Sequence, residues 1–307
     1  MRSRGARIVA LVVGLALSAT VTRSAPAPAK PARIAVNFSL YQELLNQHLW
    51  TVSEKGEPLE TRFNYEKFYD EPGRAERTVR IRRQFLAAGR EQLDPRSRTA
   101  WAINFYNFMV LEQITEHLLI PGKIRQRYLS VRDIHPEGGD FFKYPVVKID
   151  TTNYSLDQFE HHFLFADFER TPANPRPPGL DPRIHFAIVC GAIGCPPLLP
   201  RAYRPDSLGL QLNRAVREAL ASPRHLKRVP ALNVMQMSAI FFWYLPDFGG
   251  IKEALKWALD FMPKETRAEI ERMNPPPALS QITWDWKLNQ VEGWRFREQM
   301  AKPIPGD

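Results

Sequence analysis

Between Pro95 and Leu119 the chain carries Trp101, Ile103, Phe105, Phe108, Met109, Leu111, Ile114 and Leu118, which leave almost no polar face over the middle of the run. Proline suits the first turn of a helix, so the run is expected to be one helix starting at Pro95. A helix that is apolar all round has to be enclosed, so other elements must wrap it. Asn104 and Asn107 break the pattern; three residues apart, they share a side. Two enclosed amides need partners, because an unsatisfied one costs on the order of 1–3 kcal/mol. Two roles are open to them. They bond loop backbone and fix the packing, or one orients a catalytic imidazole or stabilises an oxyanion.

Both cysteines of the chain lie in a second stretch, Arg183 to Pro197, R-I-H-F-A-I-V-C-G-A-I-G-C-P-P. Ile184, Phe186, Ile188 and Val189 read as a short strand. Alternation then puts His185 with Ala187 and Val189, and Phe186 with Ile188 and Cys190, so His185 and Cys190 do not meet within a straight strand. A loop punctuated by Gly191 and Gly194 follows. Cys195 stands just before Pro196, where it is expected to cap a short helical turn whose unpaired amides lower the thiol pKa.

This stretch closely resembles the signature of the domain of unknown function 547 family. Three further segments agree: W-A-I-N-F-Y-N at Trp101 to Asn107, Y-S-L-D-Q-F-E-H at Tyr154 to His161, and W-D-W-K-L-N at Trp284 to Asn289. The likeness spans residues 38 to 295 with the motifs in the family's order. It implies no settled activity, since the family is defined by its unknown function. It also implies a relation to papain- or transglutaminase-like folds, although the usual local signature around such a cysteine is absent.

The chain's beginning reads as a targeting segment. Arg2, Arg4 and Arg7 precede an apolar stretch from Ile8 to Val21, too short for a comfortable membrane span, and small residues follow. Residues 1–25 are read as a signal peptide, 26–35 as a Pro/Ala-rich linker, and 36–300 as a single globular domain. The expected place is the periplasm or outside the cell, with no stable membrane span after cleavage. The first 25 residues hold four arginines and no acid, so their removal lowers the formal charge from +9 to +5. That modest bias, with no basic run interleaved with aromatics, argues against nucleic acid as a partner. Phosphate-binding glycine loops, dinucleotide fingerprints and serine-hydrolase elbows are absent from the sequence, and no cofactor is called for.

The remaining elements follow from period and capping. A helix is expected to carry Leu40, Leu44, Leu45, Leu49 and Trp50 on one face, and another to run from Arg74 to Gln92 with Val79, Phe85 and Leu86 inward. Strands are expected at Arg62–Tyr65 and Val146–Ile149, and a helical turn at Gln126–Leu129. Ser155 and Gln158 form a capping box, opening a helix with Leu156, Phe159, Phe163 and Leu164 inward. A proline-rich loop covers Thr171–Pro182. Beyond the cysteines, a helix with Leu208, Leu212, Val216 and Leu220 inward precedes a strand pair around Pro230. Helices broken at Pro246, a last helix from Lys264, and a closing strand at Ile282–Trp286 complete the chain. The fold class is α+β: many helices around a small, mostly antiparallel sheet.

Three chemistries compete for the cysteines. Two thiols in an exported chain, with four residues between them, invite a disulfide. A metal site would need two more ligands from His185, His161 or His135, at a spacing unlike the usual zinc patterns. A nucleophilic thiol needs an imidazole and a group to orient it. Cys195 or Cys190, His185 or His161, and Asn104 or Asn107 supply those types, and Glu160 is a possible general acid or base. The leading expectation is a thiol hydrolase or acyl transferase acting on envelope peptide or protein, with Cys195 as nucleophile. The alternative is a non-catalytic envelope scaffold with a structural Cys190–Cys195 bridge. Trp284 and Trp286 alternate with Asp285 and share a face, expected to be core packing.

Overall fold

The computed structural model describes residues 36–123, 126–165 and 180–291. The expected signal peptide and linker, and most of the proline-rich loop, lie outside the described residues. Helix α1 (Ser39–His48) runs directly into strand β1 (Leu49–Thr51), which pairs antiparallel with β2 (Thr61–Phe63). Leu49 and Trp50 therefore belong to the sheet rather than the helix face; Tyr41, Leu44, Leu45 and His48 are the buried residues of α1. The loop after β2 holds a helix, α2 (Tyr65–Tyr69), capped by the Asn64 side chain. Helix α3 (Arg74–Leu86) is shorter than its expected span and buries Ile81 and Phe85, while Val79 and Leu86 are exposed.

Helix α4 (Pro95–Glu116) is the expected hub, with Pro95 in its first turn and the Asp94 side chain capping it. Every residue from Ala100 to Thr115 is buried. Helices α2 and α3 pack against it, α1 reaches it through Tyr41 against Phe108, and the Trp101 indole N–H donates to the Phe85 carbonyl at 2.9 Å. Gln126–Leu129 forms no helical turn; Arg127 bridges back to Leu119 instead.

Strand β3 (Pro145–Ile149) pairs antiparallel with β4 (Thr152–Ser155). The capping box of Ser155 and Gln158 is formed, opening α5 (Leu156–Phe159). This helix continues into one wider π-helical turn, Glu160–Leu164, which turns Glu160 inward.

The expected strand at Ile184–Val189 is not one. Pro182–Phe186 is a 3-10 turn, begun by Pro182 and capped by the Asp181 side chain, which accepts from the Arg183 N–H. The chain beyond it is irregular, and its hydrogen bonds are met by a side chain rather than a neighbouring strand.

Helix α6 (Leu208–Ala221) buries the four residues that its period singles out. Strands β5 (Leu226–Val229) and β6 (Val234–Met237) form the hairpin at Pro230. Helices α7 (Ala239–Trp243), α8 (Ile251–Leu259) and α9 (Lys264–Glu271) follow. Strand β7 (Ala278–Gln281) pairs parallel with β6, so the closing strand sits earlier than Ile282–Trp286. The α+β reading holds, with the strands among the described residues divided among three small sheets. None of the described helices is long and apolar enough to cross a membrane.

Candidate functional site

The site begins with the two amides on α4. Asn107 donates to the Ala187 carbonyl at 2.9 Å and accepts from the Val189 N–H at 2.9 Å. Asn104 donates to the Tyr203 carbonyl and accepts from the Tyr203 N–H, both at 2.8 Å. Each amide thus grips loop backbone through one donated and one accepted bond. Asn107 fixes the chain that leads to Cys190.

From Cys190 the loop is clamped along its length. The Gly191 carbonyl accepts from the Asn289 N–H at 2.8 Å, and the N–H groups of Ile193 and Gly194 donate to the carbonyls of Lys287 and Asp285, each at 2.8 Å. Gly191 has φ +80°, and a Cβ there would lie 2.1 Å from the Ile114 Cδ1. A Cβ at Gly194 would lie 2.7 Å from the Trp284 ring. The two glycines are what the left-handed turn and the close ring contact require.

This turn brings the sulfurs together. Cys190 and Cys195 are free thiols, their Sγ atoms 2.8 Å apart. The Cys190 N–H also donates to the Cys195 Sγ at 3.0 Å. Burial acts to raise the Cys195 thiol, but bonds from the Cys190 thiol and from the backbone of Cys190, Ala192 and Gly191 outweigh it and lower the pKa. Cys190, whose thiol proton is shared with that sulfur, is pushed well up, with burial adding to the effect. No helix follows Cys195. The amides that favour its thiolate come from the loop before it, as in a backbone nest, not from a helical turn after it.

A small cleft of about 60 Å³ lies over the pair, lined by both cysteines together with Tyr106, Glu160, His185 and Tyr244. Glu160 is buried, which raises its carboxyl pKa, while the hydroxyls of Tyr244 (2.9 Å) and Tyr106 donate to it. His185 is fully buried; its Nε2 meets Asp247 Oδ2 at 2.8 Å, and its ring packs against those of Phe165 and Tyr244, centroids 4.7 and 3.8 Å away. The 3-10 turn, not a strand face, is what carries His185 to the same cleft as Cys190. His161 is exposed, its Nδ1 against the Asp157 carbonyl, and does not line the cleft; His162 and His135 are exposed too. Of the expected residues, the fold thus gathers Cys190, Cys195, His185 and Glu160, uses Asn104 and Asn107 as braces, and leaves His161 outside. Among the described residues no group of three or more His, Cys, Asp or Glu side chains could hold a metal ion.

Sequence reasoning missed four contributors. Asp247 is an acid inside an aromatic run, F-F-W-Y-L-P-D-F, and that oddity was its signal. Tyr106 sits in the hub motif between the two asparagines. Tyr244 had no signal beyond its aromatic neighbours. His225 bonds the backbone of Cys195 and faces the Ser238 hydroxyl at 3.2 Å; burial pulls its pKa down to about 4. At the mouth of the cleft Trp243, 47% exposed, packs on Trp284 at 4.7 Å and near Trp286 at 6.1 Å, while the Arg132 guanidinium caps Trp286 at 4.4 Å.

No curated protein and no solved structure matches the chain. The model of the family described as "Protein of unknown function, DUF547" matches residues 90–219. That stretch runs from the foot of α4 through both cysteines into α6, and it is this part of the chain that matches the family.

Proposed function

We propose that the chain is an exported, cysteine-dependent enzyme of hydrolase or acyl-transfer type, acting on peptide or protein of the cell envelope, with Cys195 as nucleophile. The observation that carries this reading is the loop's grip on the Cys195 sulfur. Amide N–H groups favour the thiolate, which is the nucleophilic form of cysteine. His185 borders the same cleft, and its bond to Asp247 is the kind that fixes a catalytic imidazole. In the proposed reaction the thiolate adds to an ester or amide carbonyl, and the C–O or C–N bond breaks. The leaving group takes its proton from Glu160, which burial keeps protonated to higher pH. Water or an acceptor amine then releases the acyl group from Cys195. Export rests on the basic and apolar pattern of residues 1–25.

The test is to incubate the reduced mature chain with an activated acyl ester and map any adduct by mass. An acyl group on Cys195 that is lost in Cys195→Ser supports the reading. Absence of an adduct on either cysteine, with the thiols still titratable, sinks it. The contact between the sulfurs favours a second reading, a non-catalytic envelope protein whose Cys190–Cys195 pair closes as a structural disulfide. That reading expects no acylation, and no alkylation of protein isolated without reductant.

A further inference from the structure

We infer that Cys195 and Cys190 form a hydroperoxide-reactive pair: Cys195 is the sulfur that a small peroxide oxidises, and Cys190 is the thiol that resolves the product into a disulfide. The inference goes beyond acyl transfer and needs no acyl substrate.

Four features of the site carry it. The sulfurs already touch at 2.8 Å, so closing a bond between them asks little of the backbone. The loop that holds them is clamped at Gly191, Ile193 and Gly194 to the segment 285–289, so the contact is built into the fold. The cleft above them measures about 60 Å³, room for a few water-sized molecules and therefore for hydrogen peroxide. Cys195 is only 7% exposed at its floor, so a bulky oxidant is kept from the sulfur while a small one is admitted. The difference in acidity between the two thiols fits the same division of roles, a thiolate to attack and a thiol to resolve.

The Cys195 thiolate attacks the nearer oxygen of the hydroperoxide; an S–O bond forms and the O–O bond breaks. The departing alkoxide or hydroxide takes a proton, for which Glu160 is the buried acid in the cleft. Cys195 is now a sulfenic acid. The Cys190 sulfur then attacks the Cys195 sulfur; an S–S bond forms, the S–O bond breaks, and the hydroxide leaves as water with the Cys190 proton. One peroxide has gained two electrons and the dithiol has lost two. Return to the dithiol takes a reducing thiol from outside.

The experiment uses the reduced mature chain, a short pulse of hydrogen peroxide, and dimedone added together with denaturant, so that the cleft cannot exclude it, as a probe for sulfenic acid, with mapping by mass. The wild-type chain is expected to lose two thiols for each peroxide consumed, to become lighter by two hydrogens, and to take up no dimedone. Cys190→Ser is expected to trap dimedone on Cys195, and Cys195→Ser to react at least about tenfold more slowly than wild type. Cumene hydroperoxide is expected to react more slowly than hydrogen peroxide. A Cys190→Ser protein without an adduct, or a Cys195→Ser protein oxidised as fast as wild type, overturns the inference. If the serine variants fail to fold, the wild-type stoichiometry still decides: loss of one thiol per peroxide, with the other still titratable, refutes the pair. A failed acylation assay leaves all of these readings standing, so the two ideas fail separately.

Discussion

Asn104 and Asn107 stand about one turn apart on α4, both fully buried, and both grip backbone through one donated and one accepted bond. What they hold differs. Asn104 holds Tyr203, in the irregular run before α6. Asn107 holds Ala187 and Val189, the last residues before Cys190. The same chemistry is therefore plain packing at one position and construction of the site at the other. The meaning of a buried amide lies in the segment it grips, and its own surroundings do not reveal it.

The comparison can be broken by removing each amide in turn. Asn→Ala at either position strands a buried N–H and a buried carbonyl and leaves a small cavity, a loss of about 2–4 kcal/mol for each, read by urea denaturation. The thiols should separate the two variants. Asn107→Ala is expected to change the alkylation rate of the cysteines by roughly tenfold or more near neutral pH, because the chain entering Cys190 loses its anchor. Asn104→Ala should leave that rate within about twofold of wild type. Equal changes in both variants would mean that the anchor at Ala187 and Val189 has no special bearing on the thiols. Asn107→Asp sharpens the point, since a carboxylate keeps the shape and the acceptor but cannot donate to the Ala187 carbonyl.

The hub was legible because an all-apolar helix has one physical solution, and Pro95 marked its start. The capping box at Ser155 was legible for the same kind of reason: its chemistry is local. The stretch around His185 was not. Its alternating apolar residues fit a strand, but Pro182 and Asp181 set a 3-10 turn, and Asn107, about 80 residues earlier, supplies the bonds that a strand partner would have made. A tertiary partner of that kind leaves no local mark. Glu160 was legible as a candidate, but the π turn that points it inward was not. Asp247 and His225 are ordinary polar residues until the fold buries them beside His185 and Cys195.

Two buried histidines extend the contrast, one on each side of the cysteine loop. His185 lies beside aromatic rings and against a carboxylate, whereas His225 faces a hydroxyl and the Cys195 backbone, with burial holding its pKa near 4. The folded value lies below the unfolded one of about 6.5, so the unfolded chain takes up the proton first as the solution is acidified. The stability His225 contributes is fully present above about pH 6.5 and is lost as pH falls towards 4, a change of roughly 3 kcal/mol. His48, also buried and pulled down to about 4 by burial, loses stability over the same window. Denaturation measured between pH 7 and 4 should therefore fall steeply in wild type, and His225→Gln should flatten part of that fall. An unchanged slope in the variant would place the titration elsewhere.

The smallest effect is expected at the mouth of the cleft. Trp243 and Trp286 belong to one aromatic cluster, yet only Trp243 lines the cleft over the sulfurs. Because Trp243 is nearly half exposed, Trp243→Ala should cost no more than about 1 kcal/mol, and Trp286→Ala, at a residue partly buried against the core, somewhat more. Access is where they should part. The ratio of alkylation rates for a small reagent, iodoacetamide, over a bulky maleimide measures how tightly the cleft is gated. Opening the wall at Trp243 should lower that ratio, and removing Trp286 should leave it unchanged. If Trp286→Ala lowers it equally, the cluster gates the cleft as a unit, through the contact of both tryptophans with Trp284, and the wall at Trp243 is only its visible edge.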